Sequence, residues 1–126
     1  MIKSEYLVKT PVCKKEDSIL SISKTLQKDG ARSVIVLEGK NPYGIITLTD
    51  IVYKVTAKGS DPAKVKADAV CTKDIFYVTV GDPLEKAYTY MLTNNHLFCP
   101  VVGKNGFVGI LTISEAVKRT VSKSKK

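Results

Sequence analysis

The chain is poor in the residues that build disulfide-rich, metal-binding or membrane-spanning proteins. It has 126 residues with no tryptophan, one histidine and three cysteines. Cys13, Cys71 and Cys99 are odd in number, widely spaced and form no C-x-x-C pair, so they predict buried thiols rather than disulfides or a zinc site. No apolar run approaches the roughly 18 residues of a membrane-spanning helix. No charged and then apolar leader opens the chain, and we expect a cytoplasmic protein without membrane contact.

Signatures of catalysis are also missing. The sequence contains neither the P-loop pattern G-x-x-x-x-G-K-[ST] nor G-x-G-x-x-G. His96 and Cys99 are three residues apart, but Cys99 lies in an apolar stretch where a thiolate is disfavoured, and we expect a lone histidine to be structural. The sequence therefore predicts a protein that is not an enzyme and has no catalytic or metal-binding residues.

Arginine is scarce in a chain that is otherwise basic. The net charge is +8, yet only Arg32 and Arg119 among the 20 basic residues are arginine. Specific reading of guanine favours bidentate arginine, whereas a lysine-rich surface suits phosphate-bearing ligands or is simply solvated. Because no RRM, KH or helix-turn-helix signature accompanies the lysines, nucleic-acid binding is kept only as an alternative.

The chain does contain an internal repeat. The stretch Gly-Ile-Ile-Thr-Leu-Thr-Asp-Ile-Val at 44–52 returns as Gly-Ile-Leu-Thr-Ile-Ser-Glu-Ala-Val at 109–117, which is 65 residues further along. The same offset extends outward without a gap, and such repetition decides the architecture. We divide the chain into a first repeat at 1–58, a linker at 59–65, a second repeat at 66–121 and a disordered basic tail at 122–126.

Both copies predict the order strand, helix, strand, strand, helix. Asp17 and Asp82 are at positions typical of helix N-caps, and a stripe of apolar residues at helical spacing follows each one. A single unit is too small to cover its own sheet. We therefore expect an α/β fold in which two βαββα repeats pack about a pseudo-twofold axis and leave two equivalent clefts. The predicted strands are 11–14, 33–37, 43–47, 75–80, 98–102 and 107–111, and the predicted helices follow 17 and 82 and cover 50–57, 63–69 and 114–121.

The repeated stretch ends in a polar junction between a predicted strand and a predicted helix, which we call the corner. It comprises residues 47–50 in the first copy and 112–115 in the second, and it has two interpretations. The two oxygens of Asp50 can accept the two O–H groups of a diol such as that of ribose, and the hydroxyls of Thr47 and Thr49 suit phosphate oxygens. However, Thr47-x-x-Asp50 and Thr112-x-x-Glu115 also match the capping box, in which the side chains only close a helix start. Spacing alone favours capping.

The duplicated unit resembles a tandem cystathionine-β-synthase (CBS) domain pair, or Bateman module. The resemblance covers nearly the whole chain and rests on both Gly-Ile-x-Thr-x-Thr/Ser-Asp/Glu corners, the helix starts and the Cys-Pro-Val-Val strand. It implies adenosyl ligands, namely AMP, ADP, ATP or S-adenosylmethionine, in clefts between the repeats. It favours ribose binding by Asp50, whereas Glu115 departs from the preferred aspartate and should form the better capping box. The implied first site comprises Arg32, Ser33, Ile45, Thr47, Thr49, Asp50, Asp74, Ile75, Leu97 and Phe98, and the second Pro11, Ser33, Ile110, Thr112, Ser114 and Glu115.

The resemblance also implies a role for the protein. Such a module is regulatory and senses energy state or a metabolite: an adenosyl ligand, with no required cofactor, shifts a population that a partner protein reads. The resemblance further implies a homodimer. It assigns Arg32 to binding the charged phosphate of the ligand. The alternative role of Arg32 is a surface salt bridge. The alternatives for the whole chain are a basic nucleic-acid-binding protein and a structural scaffold with empty clefts.

Overall fold

The chain folds into two compact units that do not coincide with the sequence repeats. The computed structural model describes residues 1–124, with side chains through residue 121. The first-repeat unit is Thr10–Ile75, and the second-repeat unit combines Met1–Lys9 with the chain from Phe76 onward. Residues 1–9 therefore pack with the second repeat, where Ile2 is fully buried, and residues 59–75 pack with the first.

The first-repeat unit is built on a four-stranded sheet with α-helical residues packed against it. The elements are β1 (Val12–Lys14), α1 (Ile19–Asp29), β2 (Ser33–Glu38), β3 (Asn41–Thr47), α2 (Leu48–Ile51) continuing into a π-helical segment (Val52–Thr56), α3 (Ala67–Val70) and β4 (Thr72–Lys73). The strand order is β1-β2-β3-β4, with β1 parallel to β2 and the other neighbours antiparallel. The apolar stripe of α1 is buried as predicted, against the inner residues of β2 and β3.

The second-repeat unit is built on the same plan with a three-stranded sheet. The elements are a 3₁₀ turn (Ser4–Tyr6), β5 (Val78–Thr79), α4 (Leu84–Asn94), β6 (Phe98–Gly103), β7 (Gly106–Thr112) and α5 (Ile113–Ser124). The strand order is β5-β6-β7, with β5 parallel to β6 and β6 antiparallel to β7. The N-terminal segment, residues 1–9, reaches the free edge of β7 at Val8, which pairs with Ile110, and Ile2 exchanges backbone hydrogen bonds with Gly81 and Asp82.

The backbone repeats at the same 65-residue offset as the sequence. The register of β2 on β3 shifts between Val36 and Leu37, and that of β6 on β7 shifts between Val101 and Val102. The residues that end α1 and α4 are both left-handed: Gly30 has φ 63° and Asn95, 65 positions later, has φ 57°. Glycine and asparagine tolerate this conformation best. The α/β class and the two βαββα repeats are therefore confirmed.

The predicted N-caps at Asp17 and Asp82 are each one residue early. Helix α1 starts after Ser18, whose Oγ accepts a hydrogen bond from the Ser21 amide at 3.1 Å, and α4 starts after Pro83. Each aspartate instead accepts the backbone N–H three residues before it, at 2.9 Å in both copies. The carboxylates therefore close the turn that leads from strand to helix, a local hydrogen bond that competes with capping.

Several element boundaries also differ from the prediction. The strand predicted at 75–80 shrinks to Val78–Thr79, and the helical segment predicted at 63–69 is Ala67–Val70. The helices predicted at 50–57 and 114–121 begin at Leu48 and Ile113. Of the tail predicted to be disordered, residues 122–124 continue α5, and residues 125–126 lie outside the described residues.

Candidate functional site

The first corner, where β3 passes into α2, carries a complete capping box. Thr47 is the N-cap residue, and its Oγ1 accepts the Asp50 amide N–H at 3.1 Å. In return the Thr47 amide donates to Asp50 Oδ2 at 2.9 Å. Both interactions satisfy N–H groups that a helix start leaves without partners. The capping interpretation of this motif is therefore confirmed.

The second oxygen of Asp50 faces a lysine. Lys54 Nζ lies 3.3 Å from Asp50 Oδ1 and also donates to the carbonyl of Val70 at 2.9 Å. The Asp50 side chain is 18% exposed and that of Lys54 is 41% exposed. The Asp50 side chain is thus largely buried, but part of its surface remains accessible.

Three other predicted residues lie at the same end of the sheet. Ser33 pairs with Thr47 across β2 and β3, and the Leu48 amide donates to the Arg32 carbonyl at 3.1 Å. Ile45 is on the same strand as Thr47, two residues before it, with a half-buried side chain. Arg32 is exposed and has no ion pair within the described part of the chain, so its predicted alternative role in a salt bridge is not observed.

Thr49, Asp74 and Ile75 complete the set that the first-repeat unit supplies. Thr49 is exposed in the first turn of α2. Asp74 and Ile75 follow β4, whose Thr72 pairs with Ile45. Asp74 has φ 55°, a left-handed conformation that aspartate tolerates better than most residues.

The second corner, where β7 passes into α5, repeats the backbone of the first. Phe98 pairs with Thr112, and the Ile113 amide donates to the Leu97 carbonyl at 2.8 Å, which matches the Leu48 and Arg32 contact 65 residues earlier. Leu97 is 74% exposed. Ser114 is also exposed, with its Oγ 3.3 Å from Thr112 Oγ1.

The prediction that Glu115 forms the better capping box is wrong. Thr112 Oγ1 accepts the Glu115 amide at 3.2 Å, but the Glu115 carboxylate turns to Arg119 Nε one helical turn onward. The longer side chain of glutamate allows this reach, whereas the shorter Asp50 stays close to its N-cap. The reciprocal box is therefore at the aspartate corner.

Pro11 and Ile110, both assigned to the second site, belong to different units. The Pro11 carbonyl accepts the Ile35 amide at 3.0 Å in the first-repeat unit. Ile110 is buried in the second-repeat unit, where it pairs with Pro100 and with Val8. Each residue thus has a defined backbone role in its own sheet.

The glycine that opens each repeated stretch has a structural reason that pattern reading missed. A Cβ on Gly44 would lie 2.7 Å from the Thr72 carbonyl oxygen, and one on Gly109 would lie 2.9 Å from the Val8 carbonyl oxygen. Real Cβ atoms do not approach that closely. At both corners glycine admits the segment that covers the sheet edge. The recurrence of Gly at the 65-residue offset was the available signal.

The three cysteine thiols are free and buried, as the sequence predicts. Burial raises the pKa of Cys13 and of Cys99 to about 12, and it also raises that of Cys71. His96 packs its ring 5.2 Å from that of Tyr90. Among the described residues no group of three or more His, Cys, Asp or Glu could hold a metal ion.

Comparison with known proteins finds one family. The model of the CBS domain matches residues 4–57 and 65–122. An uncharacterized protein of Methanopyrus kandleri is 27% identical over 104 residues, covering 81% of this chain and 53% of that protein. The chain spans about half or less of the length of the curated relatives it matches.

Solved structures share the fold. A hexameric CBS-CP12 protein from bloom-forming cyanobacteria is similar with a TM-score of 0.73 at 25% identity, over 93% of this chain and 66% of that chain. An uncharacterized conserved protein from Pyrococcus horikoshii has a TM-score of 0.73 at 20% identity, over 93% and 89% of the two chains. None of the helices in the described part of this chain has the length and apolar character needed to cross a membrane.

Proposed function

The chain belongs to the CBS domain family, and we propose from this that it is a regulatory module that binds an adenosyl ligand. The ligand class is AMP, ADP, ATP or S-adenosylmethionine, and the role is sensing of energy state or a metabolite without catalysis, in the cytoplasm. The observation that carries the proposal is the largely buried carboxylate of Asp50 at a corner built twice in one chain.

Capping does not use up the Asp50 carboxylate. An ionised carboxylate offers about four acceptor positions on two oxygens. The Thr47 amide occupies one on Oδ2, and the Lys54 ammonium occupies one on Oδ1. The remaining positions can accept the two O–H groups of a ribose diol, so the helix cap and the ribose contact are compatible.

The surroundings of Asp50 fit the rest of an adenosyl ligand. Ile45 supplies apolar surface two residues before the N-cap, which suits adenine. The exposed guanidinium of Arg32 and the exposed hydroxyl of Thr49 suit phosphate oxygens. In this proposal Ser33, Asp74 and Ile75 complete the part of the site that the first-repeat unit supplies.

The second corner is the weaker candidate. The Glu115 carboxylate is turned to Arg119 one helical turn onward, whereas Asp50 stays at its N-cap, so the two carboxylates are placed differently at their corners. In our proposal a second site at this corner, with Ile110, Thr112 and Ser114, therefore binds less tightly than the first.

A thermal-shift panel tests the proposal. AMP, ADP, ATP, NAD, S-adenosylmethionine and GTP are added separately, and a ligand at 100 times its dissociation constant adds about 2.7 kcal/mol of stability. We expect at least one adenosyl compound to raise the melting temperature more than GTP does. If no adenosyl compound raises it, the proposal is wrong. The chain is then better explained as a scaffold whose corner carboxylates serve only the fold, through their contacts with the Thr47 amide and with Arg119.

We also propose that the module assembles into a homodimer through helix surfaces. Each unit exposes apolar side chains one turn apart on the helix after its corner: Leu48 and Val52 in one, Val117 and Val121 in the other. In the first-repeat unit an apolar groove between α1 and α2 adjoins this surface. Sedimentation of wild type and Val52→Asp tests the surface, since a buried charge weakens a dimer. A monomeric wild type contradicts it.

A further inference from the structure

Each corner carboxylate pairs with a basic residue four positions later. Asp50 contacts Lys54, and Glu115 contacts Arg119. Lys54 and Arg119 are themselves 65 residues apart, so they are the same position of the repeat. The pair recurs although both its acid and its base differ between the two copies.

Each of these cations also contacts the segment that covers the edge of the adjacent sheet. Lys54 Nζ donates to the carbonyl of Val70, the last residue of α3, two positions before β4 begins. The Arg119 guanidinium lies 4.3 Å from the centre of the Tyr6 ring, in the N-terminal segment that pairs with β7. In both units one side chain therefore joins the corner to the edge segment.

The α3–β4 segment, residues 67–73, is held to its unit by few side-chain hydrogen bonds. Near its start the Tyr43 hydroxyl donates to Asp68 Oδ1 at 2.6 Å, and in its middle Lys54 donates to the Val70 carbonyl. The first tether comes from β3 and does not touch Asp50. The second tether, the Lys54 side chain, also contacts Asp50, the candidate ligand-binding carboxylate.

We propose that Lys54 couples occupancy of the Asp50 corner to the order of the α3–β4 segment. When ligand hydroxyls donate to Asp50, the carboxylate is fixed, so the Lys54 ammonium is held between a fixed acceptor and the Val70 carbonyl. Binding then rigidifies the segment through which the chain passes to its second repeat. By linkage, a partner that holds this segment in its ordered form raises the affinity for the ligand. Arg119 has the corresponding positioning role toward the N-terminal segment.

The ligand part of this inference rests on the proposed function, but the tether can be tested without ligand. Hydrogen exchange is measured at the amides of 67–71 in Lys54→Met, Asp50→Asn and the double variant, with β2 amides as the reference for global stability. Loss of the Lys54–Val70 hydrogen bond, roughly 0.5–1.5 kcal/mol, predicts exchange about 2- to 10-fold faster in Lys54→Met. Loss of the Asp50–Lys54 ion pair, about 0.3–0.5 kcal/mol, predicts exchange about twofold faster in Asp50→Asn. Because both changes break one chain of contacts, the double variant should exchange no faster than Lys54→Met alone.

Tyr43→Phe is the matched control for the ligand-free experiment. It loosens the same segment at Asp68, and its effect should multiply with that of Asp50→Asn, since the two act independently. If Asp50→Asn leaves exchange at 67–71 unchanged, or if its effect multiplies with that of Lys54→Met, the coupling is wrong whatever the ligand.

The second experiment adds AMP as the probe. In wild type and Tyr43→Phe, AMP should slow exchange both at residues 47–51 and at 67–71. In Lys54→Met it should still slow exchange at 47–51 but lose most of its effect at 67–71. Full protection of 67–71 in Lys54→Met refutes the coupling. Absence of protection anywhere in wild type with AMP, ATP or S-adenosylmethionine counts against the proposed function, while the ligand-free result still decides the tether.

Discussion

The substitution Asp50→Asn separates the two roles that the structure gives this residue. In the wild type the Thr47 amide donates to Asp50 Oδ2 at 2.9 Å, and the carbonyl oxygen of an asparagine can accept the same hydrogen bond. The amide NH₂ replaces Oδ1, so it presents a donor to Lys54 and to any ligand hydroxyl. The variant thus largely keeps the helix cap, whereas it loses the Oδ1 acceptor for the ligand hydroxyls.

The cost to the ligand-free fold should be small. The Asp50 and Lys54 pair is one helical turn apart and its lysine is 41% exposed, so it contributes no more than about 0.3–0.5 kcal/mol. The lost charge at the helix start adds a few tenths of a kcal/mol. We therefore expect the melting temperature of the ligand-free protein to fall by roughly 1–4 °C.

The cost to binding should be larger. A donor that faces the ribose hydroxyls leaves poorly paired polar groups in a largely buried site, at about 1–3 kcal/mol. By the rule that about 1.4 kcal/mol is tenfold, affinity for the stabilising nucleotide should drop roughly five- to 150-fold. Isothermal calorimetry below the melting temperature measures it, and Glu115→Gln at the second corner is the matched control, with a smaller expected loss.

One outcome refutes the reasoning directly. If Asp50→Asn unfolds the protein at much lower temperature while affinity at a permissive temperature is unchanged, Asp50 is a structural cap alone. Ribose recognition then has to come from other residues.

Three further predictions concern the two corner carboxylates, the close packing at Gly44 and the buried thiols. Asp50→Ala should weaken nucleotide binding more than Glu115→Ala and also destabilise the fold by about 0.5–2 kcal/mol through loss of the reciprocal cap; equal binding losses in calorimetry mean that the two corners are ranked wrongly. Gly44→Ala should cost roughly 1–3 kcal/mol in urea unfolding, because its Cβ meets a backbone oxygen at 2.7 Å, and an unchanged midpoint contradicts the proposed close packing of β4. At pH 8 the native thiols of Cys13 and Cys99, whose pKa is raised to about 12, should react with a disulfide reagent far more slowly than after unfolding; fast native labelling argues against their burial.

The sequence alone determined the plan of the protein. The 65-residue offset predicted two equivalent βαββα repeats, and the stripe of Ile19, Ile22 and Leu26 predicted the buried face of α1, because both follow from local periodicity. Thr47 and Asp50 were identified as a corner with two possible roles, since spacing along the chain fixes which side chains share a helix start.

The tertiary structure decided what no local pattern specifies. The N-terminal segment packs on β7, and residues 67–73 pack on β3. Both placements depend on which sheet edge is free, and the first also depends on which core accepts Ile2. These contacts join residues that are far apart in sequence. The same holds for Lys54, an ordinary basic residue in the sequence, whose bond to Val70 exists only because β4 brings α3 beside the corner. Local sequence sets which hydrogen bonds a corner can make, but burial of distant apolar residues sets which partners are there to make them.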